Sequence, residues 1–171
     1  MNILHLKLTR KLFPYPENEK SRGEIWGNTL ITYDQITILD QDWDINQVII
    51  FFEENKQSLL TEVFPYNNNI SIAEEAYNLY EIEGEKYFET DDDDVSDKYF
   101  NSLYEYFSKH RFHLEGIDTP RYLIGLKTNG LGEISYFDTG QYYSYFFDMK
   151  LFISNVENEI QRIKNEIEIS G

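Results

Sequence analysis

The sequence predicts an α+β fold in one domain spanning residues 1–171: an antiparallel sheet of about six strands with about four helices packed on it. Two observations carry this. Apolar residues recur with a period of two near the N-terminus and again over residues 121–147, whereas elsewhere they recur at spacings of three and four. The two patterns are segregated along the chain, which argues against an alternating parallel α/β arrangement. Composition allows such a core, since 41% of residues are hydrophobic and 16% aromatic, too apolar for a disordered acidic chain. A chain of 171 residues buries roughly 70% of its unfolded surface and needs no covalent staple.

In order along the chain, Ile3, Leu4, Leu6 and Leu8 mark a first strand over residues 2–9, ended by Pro14 and Pro16. His5 falls on its polar phase, as an ordinary sheet-surface histidine. A polar loop over residues 17–23 leads into strands at 24–33 and 36–39, joined as a hairpin by Asp34-Gln35. Asp44 is placed to cap a helix beginning near Ile45, whose apolar residues Ile45, Val48, Ile49 and Phe52 share one face. Ser71-Ile72-Ala73-Glu74 matches a capping box, so a second helix is expected from Ile72 to about Ile82. Its apolar stripe is Ile72, Ala76, Leu79 and Tyr80, which leaves Glu74, Glu75, Asn78 and Glu81 for water.

A third helix is expected from about Asp94 to His110, because Val95, Tyr99, Leu103, Tyr106, Phe107 and His110 follow helical spacing. Strands at 121–127, 131–137 and 141–147 then form a meander, with turns at Asn129-Gly130 and Asp138-Thr139-Gly140. Asp148 caps a last helix with the apolar stripe Phe152, Val156, Ile160, Ile163 and Ile167.

Charge is concentrated in the middle of the chain. The formal net charge of −16 divides into +2 over residues 1–30, −15 over 31–110 and −3 over 111–171. The densest stretch runs from Glu81 to Asp97 and supplies Glu81, Glu83, Glu85, Glu89, Asp91, Asp92, Asp93, Asp94 and Asp97, with Tyr87 and Phe88 among them. Carboxylates at a helix N-terminus complement its dipole by about 0.3–1 kcal/mol each, which accounts for one or two aspartates of such a run. The remainder is expected on a solvated surface that attracts a basic partner and repels nucleic acid and anionic membranes. These eleven residues are the candidate partner-binding set, with Tyr87 and Phe88 as aromatic anchors and the carboxylates as steering charges.

Other motifs carry less. Asp40, Asp42 and Asp44 resemble the start of a calcium loop but lack the glycine and glutamate at the required offsets. His110-Arg-Phe-His113 has the spacing to bring two imidazoles to one metal, yet no third ligand is specified, and a histidine at a helix C-terminus has a structural reason to be there. No nucleophile, metal or phosphate-loop signature is present, so no catalytic residue, cofactor or metal is assigned. With no cysteine, disulfides and thiolate chemistry are excluded and a cytoplasmic location is favoured. The longest apolar run, Val48–Phe52, is far short of the ~20 residues a membrane span requires, and the first ten residues lack an export signal.

The passage from Trp43-Asp44 through the following helix, Glu53-Glu54-Asn55 and Phe64-Pro65 resembles small acidic bacterial proteins of the immunity type, which are encoded beside secreted toxins and block them. The likeness is one of general character over residues 24–65 and 115–160, and it transfers no functional residue. It implies a basic toxin domain as partner and leaves the architecture open, because immunity proteins span many unrelated folds. The leading expectation is therefore an acidic protein inhibitor, monomeric or homodimeric, that binds and occludes a basic partner. A nucleic-acid mimic that blocks a defence or restriction enzyme is the alternative, followed by acidity that serves solubility alone and by a small enzyme.

Overall fold

The computed structural model describes residues 2–15, 23–83 and 93–170, with residues 82, 83, 93–96, 99 and 170 described by backbone alone. The elements are β1 (Leu4–Arg10), β2 (Trp26–Tyr33), β3 (Ile36–Asp44), α1 (Asn46–Thr61), α2 (Ile72–Tyr77) with a π-helical turn (Asn78–Glu83), α3 (Asp93–His110), β4 (Arg111–Phe112), β5 (Tyr122–Leu126), β6 (Gly132–Asp138), β7 (Gln141–Phe147) and α4 (Met149–Ser170). The class is α+β, as the sequence predicts, but the described strands number seven and form two sheets, β1-β2-β3 and β4-β5-β6-β7, rather than one sheet of six. They belong to two compact units: Met1–Leu60 with Leu114–Asp118 and Phe147–Gly171, and Thr61–His113 with Thr119–Phe146.

In the first unit Leu4, Leu6 and Leu8 are buried and alternate with exposed His5, Lys7 and Thr9, the period-two pattern read from the sequence. The β1–β2 register pairs Leu4 with Tyr33 and Arg10 with Gly27, and β2–β3 pairs Trp26 with Asp44 through an irregularity at Ile31/Thr32. The second hairpin strand therefore extends five residues beyond its expected end at Leu39 and carries Asp40, Asp42 and Asp44. Asp44 caps α1 as anticipated: its carboxylate accepts the Asn46 N–H at 3.0 Å and also the Ile25 N–H at 2.8 Å.

Helix α4 lies along the outer edge of β1. Asn155 Oδ1 accepts the Leu6 N–H at 2.8 Å, Glu159 Oε2 accepts the Leu8 N–H at 3.0 Å, and Arg162 donates to the Leu8 carbonyl. Side chains thus close an edge that would otherwise offer unpaired backbone groups to another strand. The expected stripe of α4 is inward, with Phe152, Val156, Ile160 and Ile163 buried and Ile167 half-buried. Phe152 meets Phe52 and Phe147 edge-on, with centroids 5.7 and 5.3 Å apart. Asp148 caps this helix through the Leu151 N–H at 3.0 Å.

In the second unit α2 and α3 cover the β4–β7 sheet around a core of Phe64, Ile72, Leu79, Leu103, Phe107 and Leu123. The hairpin β6–β7 turns on Thr139 and Gly140, both at positive φ (47° and 85°), the pairing of a type I′ turn. The third helix ends at His110 as expected, and the short strand β4 after it, which the sequence does not signal, pairs Arg111 with Leu123 and Phe112 with Tyr122. Helix α3 begins at Asp93, one residue before its expected start. Its anticipated members Val95 and Tyr99 lie outside the described side chains, while Leu103, Tyr106, Phe107 and His110 are buried.

Candidate functional site: an aromatic groove in the second unit

Ser71 opens α2 by accepting the Glu74 N–H at 3.1 Å, the hydroxyl half of the expected capping box. Two further orphan donors of that helix start are taken by the sheet: Glu133 accepts the Ile72 N–H at 2.7 Å and Ser135 Oγ the Ala73 N–H at 3.0 Å. The second Glu133 oxygen faces Lys127 Nζ at 3.5 Å, and that ammonium donates to the Ile70 carbonyl at 2.7 Å. Both side chains are buried, Glu133 at 0% and Lys127 at 4% exposure. A buried pair in low dielectric, hydrogen-bonded to backbone on both sides, fixes where α2 starts on the sheet.

The far end of the unit is held by His110, also fully buried. Its Nδ1 lies 2.8 Å from the Ile124 carbonyl oxygen and its Nε2 3.2 Å from Glu62, and its ring stacks on Tyr106 with centroids 3.9 Å apart. Burial pushes the His110 pKa below its ordinary 6.5, outweighing the Ile124 and Glu62 acceptors, which favour the charged ring. Gly125 makes room for this stack, because a Cβ there would sit 2.5 Å from the Tyr106 hydroxyl. His110 is thus engaged through both ring nitrogens with groups unrelated to His113. Among the described residues no cluster of three or more His, Cys, Asp or Glu is arranged as a metal site.

With its two ends fixed, the helical layer leaves a groove of about 830 Å³ over the sheet. Ala73 and Ala76 are small enough to open it, and Leu123 and Phe107 form apolar floor. Tyr77, Tyr80, Tyr104, Phe137 and Tyr142 surround it, of which Tyr77, Tyr104 and Phe137 are more than half exposed. Phe137 and Tyr142 contact each other at 5.0 Å, and Tyr80 meets Phe107 at 5.5 Å. The groove's volume lies in the range of small-molecule sites, and its wall carries the aromatic residues that dominate binding surfaces. Glu81, Arg111 and Arg121 supply its charges. Burial raises the pKa of Tyr80 and of Tyr142, against the pull of the Arg111 cation on Tyr80, so both phenols stay neutral donors near pH 7.

Of the eleven residues expected to bind a partner, Glu81 stands exposed at the groove and Asp97 exposed on α3. Glu83 ends the π-helical turn, and Asp93 and Asp94 open α3, with their backbones alone described. Glu85, Tyr87, Phe88, Glu89, Asp91 and Asp92 lie outside the described residues. The groove itself went unread in the sequence. Tyr80 belongs to the predicted stripe of the second helix, but Tyr77, Tyr104, Phe137 and Tyr142 come from four elements, and no spacing signals their convergence. The signal that existed was chemical, two arginines in a unit with 15 acidic and 6 basic side chains.

The first unit has features of its own. Phe13, Tyr15 and Trp26 meet edge-to-face with centroids 5.7–6.1 Å apart, Trp43 lies tilted against Trp26 at 5.5 Å, and Trp43 Nε1 donates to the Glu115 carbonyl at 2.8 Å. A cleft between α1 and α4, about 160 Å³, is spanned by Lys56–Glu157 at 2.7 Å and by Lys164–Glu53, and is too small for a drug-sized ligand. No helix of the described residues is long and apolar enough to cross a membrane. No protein-family model matches the chain, and no similar curated protein or solved structure is found.

Proposed function

We propose that this chain is an acidic binding protein that docks on a basic protein partner through the Glu81–Asp97 run and occludes it. The supporting observation is the state of the two run residues with described side chains. Glu81 and Asp97 are both exposed and have no ion-pair partner among the described residues. Other carboxylates are neutralised: Asp42 holds Lys11 at 2.6 Å, Glu157 holds Lys56 at 2.7 Å, Glu159 and Glu166 hold Arg162, and Glu62 holds Lys109 at 3.1 Å. Charge left unneutralised raises the encounter rate with a basic surface, by 10- to 1,000-fold in strongly steered pairs. The sequence resemblance makes a toxin domain, neutralised in the cytoplasm of its producer, the partner class of this reading.

The nucleic-acid mimic reading needs a row of free carboxylates at phosphate-like spacing. Asp40, Asp42 and Asp44 come nearest, roughly 7 Å apart at alternate positions of β3. That row is already engaged: Asn28 donates to Asp40 and Asp42, Lys11 binds Asp42, and Asp44 accepts backbone N–H groups. An enzymatic reading has no better support, because buried Glu133 and His110 are both committed to holding backbone groups.

The experiment is association kinetics. A partner isolated by affinity capture from the native host is mixed with the chain in a stopped-flow instrument across a salt series. Changing Asp91, Asp92, Asp93 and Asp94 to Asn is expected to slow association by about tenfold at low salt, with the difference closing as salt screens the charges. An unchanged on-rate and salt slope would remove the run from the interface.

A further inference from the structure

We infer that the groove of the second unit is a binding site for an amphipathic monoanion, a small molecule with an aromatic or acyl body and one carboxylate-like head. The inference rests on the groove's own residues and stands apart from the reading of the acidic run.

Sequence charge in this unit is −9, from 15 acidic and 6 basic side chains. Lys109 pairs with one carboxylate, Glu62, at 3.1 Å, and Lys127 with another, Glu133. Arg111 and Arg121 do not. They line the same groove, one half-buried and one exposed, and neither guanidinium has an ion-pair or hydrogen-bond partner among the described residues. Each presents a planar fork of donors that matches a carboxylate geometrically.

Shape and charge count then narrow the ligand. Besides the arginines the groove is lined by Ala73, Ala76, Phe107 and Leu123 and by Tyr77, Tyr80 and Tyr142, a largely apolar surface that suits an apolar body rather than an inorganic ion. Among the described lining residues, two guanidiniums and the Glu81 carboxylate leave a net charge of +1, which balances a single negative charge better than a dianion. The neutral Tyr80 hydroxyl, close enough to feel the Arg111 cation, adds a donor near the head.

The probe is 1-anilinonaphthalene-8-sulfonate, an aromatic body with one sulfonate, titrated into the full chain by fluorescence, beside its uncharged relative N-phenyl-1-naphthylamine. Saturable binding at one site is expected, with competition by 2-naphthoate if the natural body is aromatic and by octanoate if it is acyl. The Arg111→Gln/Arg121→Gln variant should weaken the sulfonate dye at least tenfold and leave the uncharged dye within about twofold, because loss of a charge-assisted hydrogen bond is worth roughly a factor of ten or more. Filling the groove with Ala76→Trp should abolish binding of both dyes. Circular dichroism and melting curves identify any misfolded variant, and the glutamine pair carries the test if the tryptophan variant does not fold. Absence of saturable binding, equal loss of both dyes in the glutamine variant, an unweakened sulfonate dye, or failure of both carboxylates to compete would each overturn the inference.

Discussion

Removing the buried carboxylate of Glu133 should be among the most damaging single changes in the second unit. Glu133→Ala takes the acceptor from the Ile72 N–H and leaves Lys127, 4% exposed, without its counter-charge. Breaking a buried ion pair from one side costs about 3–5 kcal/mol. Lys127 keeps the Ile70 carbonyl at 2.7 Å and the Phe64 ring 5.3 Å from its Nζ, which places the expected loss near the lower bound, about 3 kcal/mol. For a chain of this size that corresponds to a fall in melting temperature of roughly 6–12 °C. Glu133→Gln keeps an acceptor for the Ile72 N–H and loses the charge, so it should cost about half as much. The double change Glu133→Leu/Lys127→Met should be milder than Glu133→Ala, because it removes the orphaned charge along with its partner. Urea unfolding followed by circular dichroism measures all three, with the slope compared to confirm that the same surface is exposed. A loss below about 1 kcal/mol for Glu133→Ala, or a double variant less stable than the single, would show that the pair does not anchor α2.

Two further changes test the polar stack beneath the sheet. His110 is expected to titrate below 6.5 and to be neutral in the folded protein at pH 7, so the unfolded chain takes up its proton first as pH falls. Stability linked to His110 is therefore fully present above about 6.5 and is lost as pH drops from there towards the lower folded-state value; wild type minus His110→Gln in pH-dependent unfolding isolates it from the carboxylates. A His110 pKa above 6.5 by NMR would mean that the Ile124 and Glu62 acceptors outweigh burial. Gly125→Ala should destabilise by about 1–3 kcal/mol, since its Cβ would lie 2.5 Å from the Tyr106 hydroxyl. That hydroxyl is buried without a hydrogen-bond partner among the described residues, so Tyr106→Phe should be close to neutral alone and should recover part of the Gly125→Ala loss; strict additivity in the double-mutant cycle would refute the clash.

Local chemistry was legible from sequence wherever one residue and its near neighbours decide the outcome. The alternation of Leu4, Leu6 and Leu8, the stripe from Phe152 to Ile163, the caps at Asp44, Ser71 and Asp148 and the meander strands all appear where spacing and capping chemistry place them. Pairing between distant segments did not follow from those signals. Period two says which face of a strand is apolar and nothing about which edge it meets, so the division into sheets of three and four strands belongs to tertiary structure. The same holds for Arg111-Phe112, just past the expected helix end at His110, where pairing with Tyr122-Leu123 forms a short strand beside a His110 ring that meets a carbonyl 14 residues away.

The acidic run and its sign were plain in the sequence, because charge density is a one-dimensional property. The groove was not. Ala73 and Ala76 read as ordinary helix residues until the sheet beneath them shows the space they leave, and Arg111 and Arg121, ten positions apart, line one groove because strand pairing sets Arg111 opposite Leu123, two residues after Arg121. Concavity depends on side chains that are small relative to what faces them, and what faces them is set by packing across the unit. A cation without a counter-charge is likewise a statement about distance in space.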